Sequence, residues 1–476
     1  MKKFKLSHWH IFWLIIVASF IPRLLLVNDS LFHFDSVTLA NAVQKSLQDK
    51  ILYRDHAYSY LNVLVNMLFH KFWCLFGINN IETALKLNTI LFSSLCSGFM
   101  FLFIKNKYNI STGVFAGLIL SFTPVFFSVS TFPLNHSLAI LFFLVSYYFL
   151  HKKKPPYILS GIFSSLGILI RFDYVFFLIP LVFYLLKKMN YKKIKSRQNI
   201  RLLASIIIPT IVMVCRLLIQ GEYVFGTMGY QGFYFNLFNI FIIFSYSIKA
   251  VTIFALIFSI FGLLYLSVKK RYYDFYYYLL WILIPLLYFS NLVGTKPRYL
   301  IPVFIPMIVL NALSIDVFYN KSKRAGILIL IFLLVLMFLS IYPTVSFRHK
   351  YSTAKEFAKL INRTTEPNSV LILYGDDVPL MHFYAQREYL DYVYGNTEKD
   401  LMNFLSSIFQ ALESGKPVYL SETVFNLDSR DRGIYIFAML QKNFKLTQVD
   451  TLIWENPHAA SVMSQKFNVS LIKIER

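Results

Sequence analysis

From position 11 to 344 the chain repeats one pattern, an apolar run of about 17–25 residues followed by a short polar break that is usually basic. Runs of that length cross a bilayer as helices. They fall at about 11–27, 82–104, 110–129, 134–150, 156–170, 173–187, 201–219, 249–268, 274–292, 299–317 and 325–344, which predicts about eleven spanning helices. A further apolar run, Tyr58 to Phe76, contains His70, Lys71 and Trp73 and reads as a helix lying in the membrane interface. After 345 the period changes. Thr353-Ala-Lys-Glu356 is a capping-box pattern that opens a helix to about Arg363. Strand patterns at Ser369–Tyr374, Pro417–Ser421 and Val469–Ile474 alternate with helical ones at Asn396–Glu413 and Arg430–Gln441. The predicted fold class is a polytopic α-helical membrane domain over 1–345, joined to a soluble α/β domain over 346–476.

Loop charge orients the spans. The basic clusters Lys2/Lys3/Lys5, Lys105/Lys107, Lys152–Lys154, Lys187 to Arg201, Lys269–Arg271 and Lys321/Lys323/Arg324 share one side only if Tyr58–Phe76 does not cross. Cytoplasmic loops collect Lys and Arg. The amino terminus is therefore expected in the cytoplasm and the carboxyl domain outside. The first run follows a basic start, contains Arg23 and lacks a small-x-small cleavage site, so it reads as an uncleaved span of an integral protein of the cytoplasmic membrane. On the external side lies a Gly- and Tyr-rich loop, 220–248, read either as a mobile flap or as a plain connection.

Composition sharpens this picture. The chain is 57% hydrophobic and 15% charged, with a formal net charge of +23. The excess of Lys and Arg follows the spans, so it points to a lipid bilayer and not to nucleic acid. Cys74, Cys96 and Cys215 all sit in apolar segments and predict neither a disulfide framework nor a zinc site. Asp376-Asp377 follows a strand, but no glycine-rich phosphate loop accompanies it, and it reads as a solvated turn.

Acidic residues are scarce before 345: Asp29, Asp35, Asp49, Asp55, Glu82, Asp173, Glu222, Asp274 and Asp316. Carboxylates are costly in hydrocarbon, which makes those retained functional candidates. Four crowd into residues 28–57. Asp35 opens an amphipathic stretch to Leu47, and a carboxylate at the membrane surface suits a general base acting on a hydroxyl. Asp is also a favoured helix N-cap. The residues alone leave both roles open.

Several features in order resemble the GT-C superfamily: Asp35 in the first external loop, the interfacial helix behind it, the turn Arg171-Phe-Asp173, and Lys296-Pro-Arg298-Tyr-Leu-Ile-Pro302 entering a late span. Within that superfamily the chain is most similar to the protein O-mannosyltransferase and aminoarabinose transferase group, over roughly residues 10–345. The resemblance implies a membrane glycosyltransferase that takes a sugar from a polyprenyl-phosphate carrier and passes it to a protein, glycan or lipid acceptor on the external face. It implies Asp35 as catalytic base. Asp55-His56 loosely matches the group's Asp-x-His-Pro-Pro stretch, without its two prolines. Where many relatives carry a second acidic residue, this chain reads Thr131-Phe-Pro-Leu-Asn135-His136. A carboxylate pair for a metal is thus missing, and neither metal nor other cofactor is expected.

Departure of a lipid phosphate builds charge that fixed cations stabilise. Arg298, Lys296, Arg171 and Arg216 are the external candidates for holding it, Arg being suited by its planar fork. Arg216 and Arg298 have a second reading as interfacial anchors. Asp55, His56, Asn135, His136 and Asp173 are expected to line the site towards the acceptor. The rivals are a transporter or lipid flippase, which would show paired repeats with interrupted helices, and a ligase or polymerase using diphosphate-linked glycans.

Overall fold

In the computed structural model the described residues are 7–55, 59–189, 197–231, 243, 245, 247–291, 297–373, 378–391, 398–423, 430–455 and 466–476. They form two compact units. One comprises residues up to Val27 together with Leu39–Ser346; the other joins Asn28–Thr38 to the carboxyl-terminal segments from Phe347.

The first unit is helical. In chain order its helices are α1 (His8–Leu25), the larger part of α2 (Phe34–Asp49), α3 (Tyr60–Cys74), α4 (Ile81–Lys107), α5 (Ile110–Phe122), α6 (Pro124–Val129), α7 (His136–Leu150) and α8 (Tyr157–Ile170). A 3₁₀ turn (Phe172–Leu178) leads into α9 (Ile179–Lys188), followed by α10 (Arg197–Gln231), α11 (Ile253–Val268) and α12 (Tyr272–Ser290). A second 3₁₀ turn (Pro297–Leu300) precedes α13 (Ile301–Lys321) and α14 (Lys323–Lys350). Among the described residues five helices are long and apolar enough to cross a membrane, and α5, α7, α8 and α11 are shorter apolar ones. Large apolar side chains face outward on α1 (Trp13, Leu25), α10 (Ile211, Leu218) and α14 (Leu328, Leu339), a surface suited to hydrocarbon. This is a polytopic membrane fold.

The expected loop 220–248 begins differently: α10 continues as helix to Gln231, through Gly221, Gly226 and Gly229, and 232–242 lie outside the described residues. α3 forms where the interfacial helix was expected, with Asn62, Asn66 and His70 buried and Leu64, Leu68 and Phe72 exposed. Arg23 is fully buried in α1. It donates to Ser130 Oγ (2.6 Å), to Ser19 O (2.8 Å) and to Ser121 O (2.7 Å), so the cation knits α1 to α5 and to the turn after α6. Satisfied donors explain how it survives there.

Two features set α7 against α8. Ser146 Oγ meets Ser160 Oγ and Ser164 Oγ, each at 2.8 Å. A Cβ at Gly167 would stand 2.5 Å from the Phe143 ring, so only glycine permits this approach. The pairing places the amino end of α7 beside the carboxyl end of α8, where His136 and Arg171 lie.

The second unit contains a five-stranded mixed sheet, order β2-β1-β3-β5-β4, built from β1 (Val370–Leu373), β2 (Glu388–Asp391), β3 (Val418–Ser421), β4 (Lys445–Glu455) and β5 (Lys466–Glu475). β1 is parallel to β2 and β3, whereas β5 is antiparallel to β3 and β4. Val370, Ile372, Val418, Leu420, Ile472 and Ile474 form the sheet's share of its core. They pack with Phe404, Leu405 and Ile408 of one helix (Glu398–Glu413) and Leu440 of another (Arg430–Asn443). The three expected strands are present; β2 and β4 are additional. The helix Thr353–Thr364 is capped by Ser352, whose Oγ accepts from Lys355 N at 3.1 Å, one residue before the expected Thr353. Asp376-Asp377 lie outside the described residues.

The segment Asn28–Thr38 belongs to this unit. Asp29 N–H donates to Arg348 O (3.2 Å), Leu31 N–H to Tyr384 OH (3.0 Å), and the Arg348 guanidinium lies 4.2 Å from the centre of the Phe32 ring.

Candidate functional site

Within the helical unit the two ends just described bring one polar cluster together. Arg171 terminates α8 and is buried on most sides. Its Nε donates to Asp173 Oδ1 at 2.9 Å and its Nη2 to Asp173 Oδ2 at 2.7 Å, a bidentate fork. Nη1 donates to Asn135 Oδ1 at 2.6 Å and lies 3.3 Å from His136 Nε2. His136 is fully buried, and its Nδ1 is 2.5 Å from Tyr174 OH. With Nε2 accepting from the guanidinium, the ring proton resides on Nδ1 and is donated to Tyr174. Burial by itself would depress the Arg171 pKa, but the Asp173 carboxylate more than offsets this and holds it above its ordinary value. Arg171 is thus permanently charged and already chelated.

Arg298 enters from the 3₁₀ turn that starts α13. It is buried, and its guanidinium is 5.2 Å from the centre of the Tyr299 ring; the same ring has Arg171 at 5.9 Å. Arg298 acts electrostatically on both His136 and Tyr174. Two guanidinium groups therefore converge around Tyr299.

The other predicted residues divide as follows. Arg216, in α10, is buried and donates through Nη1 to Ile168 O, in the last turn of α8, where a cation suits the exposed carbonyls. This bond orients the helix end that bears Arg171. Asp55 is buried. Its Oδ1 accepts from Ser59 N at 2.8 Å and its Oδ2 from Asn62 Nδ2 at 2.6 Å, fastening the start of α3. Ser59 Oγ in turn donates to Leu169 O at 2.9 Å. His56 and Lys296 lie outside the described residues.

Asp35 belongs to the second unit. The backbone oxygen of His33 accepts from Ser36 N (2.9 Å) and Val37 N (3.3 Å), so α2 starts before Asp35 and the carboxylate sits in the first turn, not at the cap. That position favours an anion through the helix dipole. Asp35 N–H donates to His33 Nδ1 at 3.1 Å, which puts the imidazole proton on Nε2. The 3.4 Å approach of Asp35 Oδ2 to Nδ1 is then a contact without a shared proton. The Asp35 side chain is 27% exposed.

Tyr174 and Tyr299 were not among the sequence candidates. Tyr174 directly follows Arg171-Phe-Asp173, and Tyr299 lies inside Lys296-Pro-Arg298-Tyr-Leu-Ile-Pro302 next to Arg298; adjacency was the available signal. Among the described residues no group of three or more His, Cys, Asp or Glu comes together as a metal site.

Residues 62–216, about a third of the chain, match the dolichyl-phosphate-mannose-protein mannosyltransferase family. The structure of ArnT from Cupriavidus metallidurans bound to undecaprenyl phosphate is similar with a TM-score of 0.60 at 11% identity, covering 97% of this chain and 97% of that one. Its apo structure gives 0.60 at 12% identity with the same coverage. The Archaeoglobus fulgidus oligosaccharyltransferase, tethered to an acceptor peptide containing the NVT sequon, gives 0.55 at 13% identity, covering 87% of this chain and 68% of that one. No curated protein matches the sequence. At such identities the structural likeness establishes the fold alone, that shared with ArnT and the oligosaccharyltransferase. Together with the family match it supports a GT-C superfamily glycosyltransferase that uses a polyprenyl-phosphate-linked sugar.

Proposed function

We propose that this protein transfers a sugar from a polyprenyl-phosphate carrier to a nucleophilic acceptor on the external face of the cytoplasmic membrane, with inversion at the anomeric carbon. The acceptor O–H or N–H gives its proton to the Asp35 carboxylate. The acceptor atom bonds to the anomeric carbon as the bond from that carbon to the phosphate oxygen breaks. The electron pair leaves with the lipid phosphate, and Arg298 stabilises the charge that develops there.

The observation that carries this reading is the convergence of Arg298 and Arg171 around Tyr299 inside an apolar helical unit. Buried cations are costly in such surroundings and are retained where they act. Arg298 is assigned the phosphate for its planar fork and its place in the turn that opens α13, and Arg171, held by Asp173, the task of ordering Asn135, His136 and Tyr174. ArnT with undecaprenyl phosphate as its bound lipid supports the donor class. Asn135, His136, Asp173 and His56 remain the candidates on the acceptor side, with Asp55 fastening the start of α3, and Lys296 and Arg216 supporting cations on the donor side.

The test is turnover of purified protein in lipid with a panel of polyprenyl-phosphate sugars, followed by release of the free lipid phosphate. Sugar-dependent release that Arg298→Ala abolishes supports the proposal. Absence of release with every monophosphate donor, alongside turnover of a diphosphate-linked one, overturns it.

A further inference from the structure

The helical unit carries a second polar cavity at the opposite end of α7. His136 begins that helix at the candidate site and His151 caps its other end; fifteen residues at 1.5 Å each set the two ends about 22 Å apart. There the carboxyl ends of α4, α7 and α9 meet the amino ends of α8, α10 and α12 around a cavity of about 450 Å³. Lys107, Lys152, Lys153, Lys187, Lys188 and Arg271 line it, against the single lining carboxylate Asp274.

Exposed lysines at helix ends are ordinary orientation signals and carry no argument by themselves. Lys107 is different. Its side chain is only 10% exposed, and its Nζ is buried without a hydrogen-bond partner among the described residues. The ammonium lies 3.5 Å from the centre of the Tyr277 ring and 4.6 Å from that of Tyr278. Aromatic faces attract a cation but offer no lone pair to its three donors. The nearest carboxylate oxygen, Asp274 Oδ1, is 3.9 Å away, and Oδ2 of the same residue already accepts from Arg271 Nη2. Lys107 Nζ thus has only a long ion pair with a carboxylate it shares with Arg271, and no hydrogen-bond acceptor among the described residues.

We propose that this cavity binds a phosphate group, with Lys107 as the inner ligand and Lys152, Lys187 and Lys188 at its mouth. Basic pockets between membrane helices suit the phosphodiester of an anionic lipid. A soluble phosphate offers the same oxygens. The site is distinct from the proposed donor site, since it occupies the other ends of α7 and α8.

The experiment measures thermal unfolding of the full chain in detergent during titration with phosphatidylglycerol, with phosphatidylcholine, or with inorganic phosphate. Phosphatidylglycerol is expected to stabilise the protein where phosphatidylcholine does not. The half-effective concentration should rise roughly fivefold for each cation removed, in Lys107→Met and in the exposed pair Lys187→Gln/Lys188→Gln. The exposed pair keeps the test decisive if Lys107→Met fails to fold. Stabilisation by inorganic phosphate with the same variant dependence upholds the site and assigns it a soluble ligand. Titrations that neither variant changes, or equal responses to both lipids with none to phosphate, overturn the proposal. The readout is binding, so failure of the glycosyltransfer reading would leave it standing.

Discussion

Arg171 holds Asp173 in a two-point grip, with Nε to Oδ1 at 2.9 Å and Nη2 to Oδ2 at 2.7 Å. The pair closes the edge of the guanidinium best shaped for a phosphate. Its remaining Nη1 reaches Asn135, on the neighbouring helix start, and so joins α8 to α7. Electrostatics and packing meet in this residue.

Asp173→Asn keeps the shape of the side chain and removes its charge. Loss of a charge-assisted fork of this kind costs about 1–2 kcal/mol, at the low end because more than a quarter of the Asp173 side chain is exposed. A lowered Tm in detergent should accompany it. A double-mutant cycle with Arg171→Gln should give a coupling energy clearly different from zero. Additive effects of the two changes would mean that the grip contributes nothing to stability.

Asp55→Ala separates a capping role from an acceptor-side role. The substitution strips the acceptors from Ser59 N–H and Asn62 Nδ2, at about 1–3 kcal/mol. Stability should fall while the apparent KM for acceptor stays nearly constant. A KM raised tenfold at unchanged Tm would return Asp55 to the acceptor side.

Asp35→Asn leaves the helix start nearly isosteric but cannot take a proton at neutral pH. Turnover should fall on the order of 10²–10⁴-fold, with donor affinity little changed. Near-normal turnover of the folded variant would leave Asp35 only its favourable place in the first turn of α2.

The orientation of the chain can be tested at Lys359, which is 72% exposed in the side chain. A cysteine placed there by Lys359→Cys, in a protein whose three native cysteines are replaced, should react with an impermeant reagent on intact cells. Reaction only after membrane rupture would reverse the assigned sides.

Much of the fold was legible because one period dominated each segment. Long apolar runs marked the helices, and β1, β3 and β5 stood out as compact apolar strands. β4 was hidden by an extra residue, Val449, between Gln448 and Asp450, which breaks the two-residue alternation along a mostly exposed edge strand. The extension of α10 was hidden by its glycines, each of which disfavours helix by about 1 kcal/mol. Membership of Asn28–Thr38 in the second unit has no local signal at all. It rests on pairs such as Leu31 with Tyr384, distant in sequence. Arg171, Asp173, Asn135, His136 and Arg298 were legible as charged or polar residues at span ends. The proposed division of labour between Arg298 and Arg171 draws in addition on the bonds that Arg171 makes to Asp173 and Asn135, which no local pattern in the sequence shows.

That division is the centre of the account, and Arg298→Lys tests it most directly. Lysine keeps the charge and can still anchor a helix at the headgroups, but it loses the planar fork. Initial rates over a range of donor concentrations report turnover and donor affinity together. The account predicts at least about a tenfold loss of kcat, about 1.4 kcal/mol of transition-state stabilisation, with a smaller change in KM. Unchanged kinetics in Arg298→Lys, with a large loss of kcat in Arg171→Lys, would contradict it and move the phosphate to Arg171.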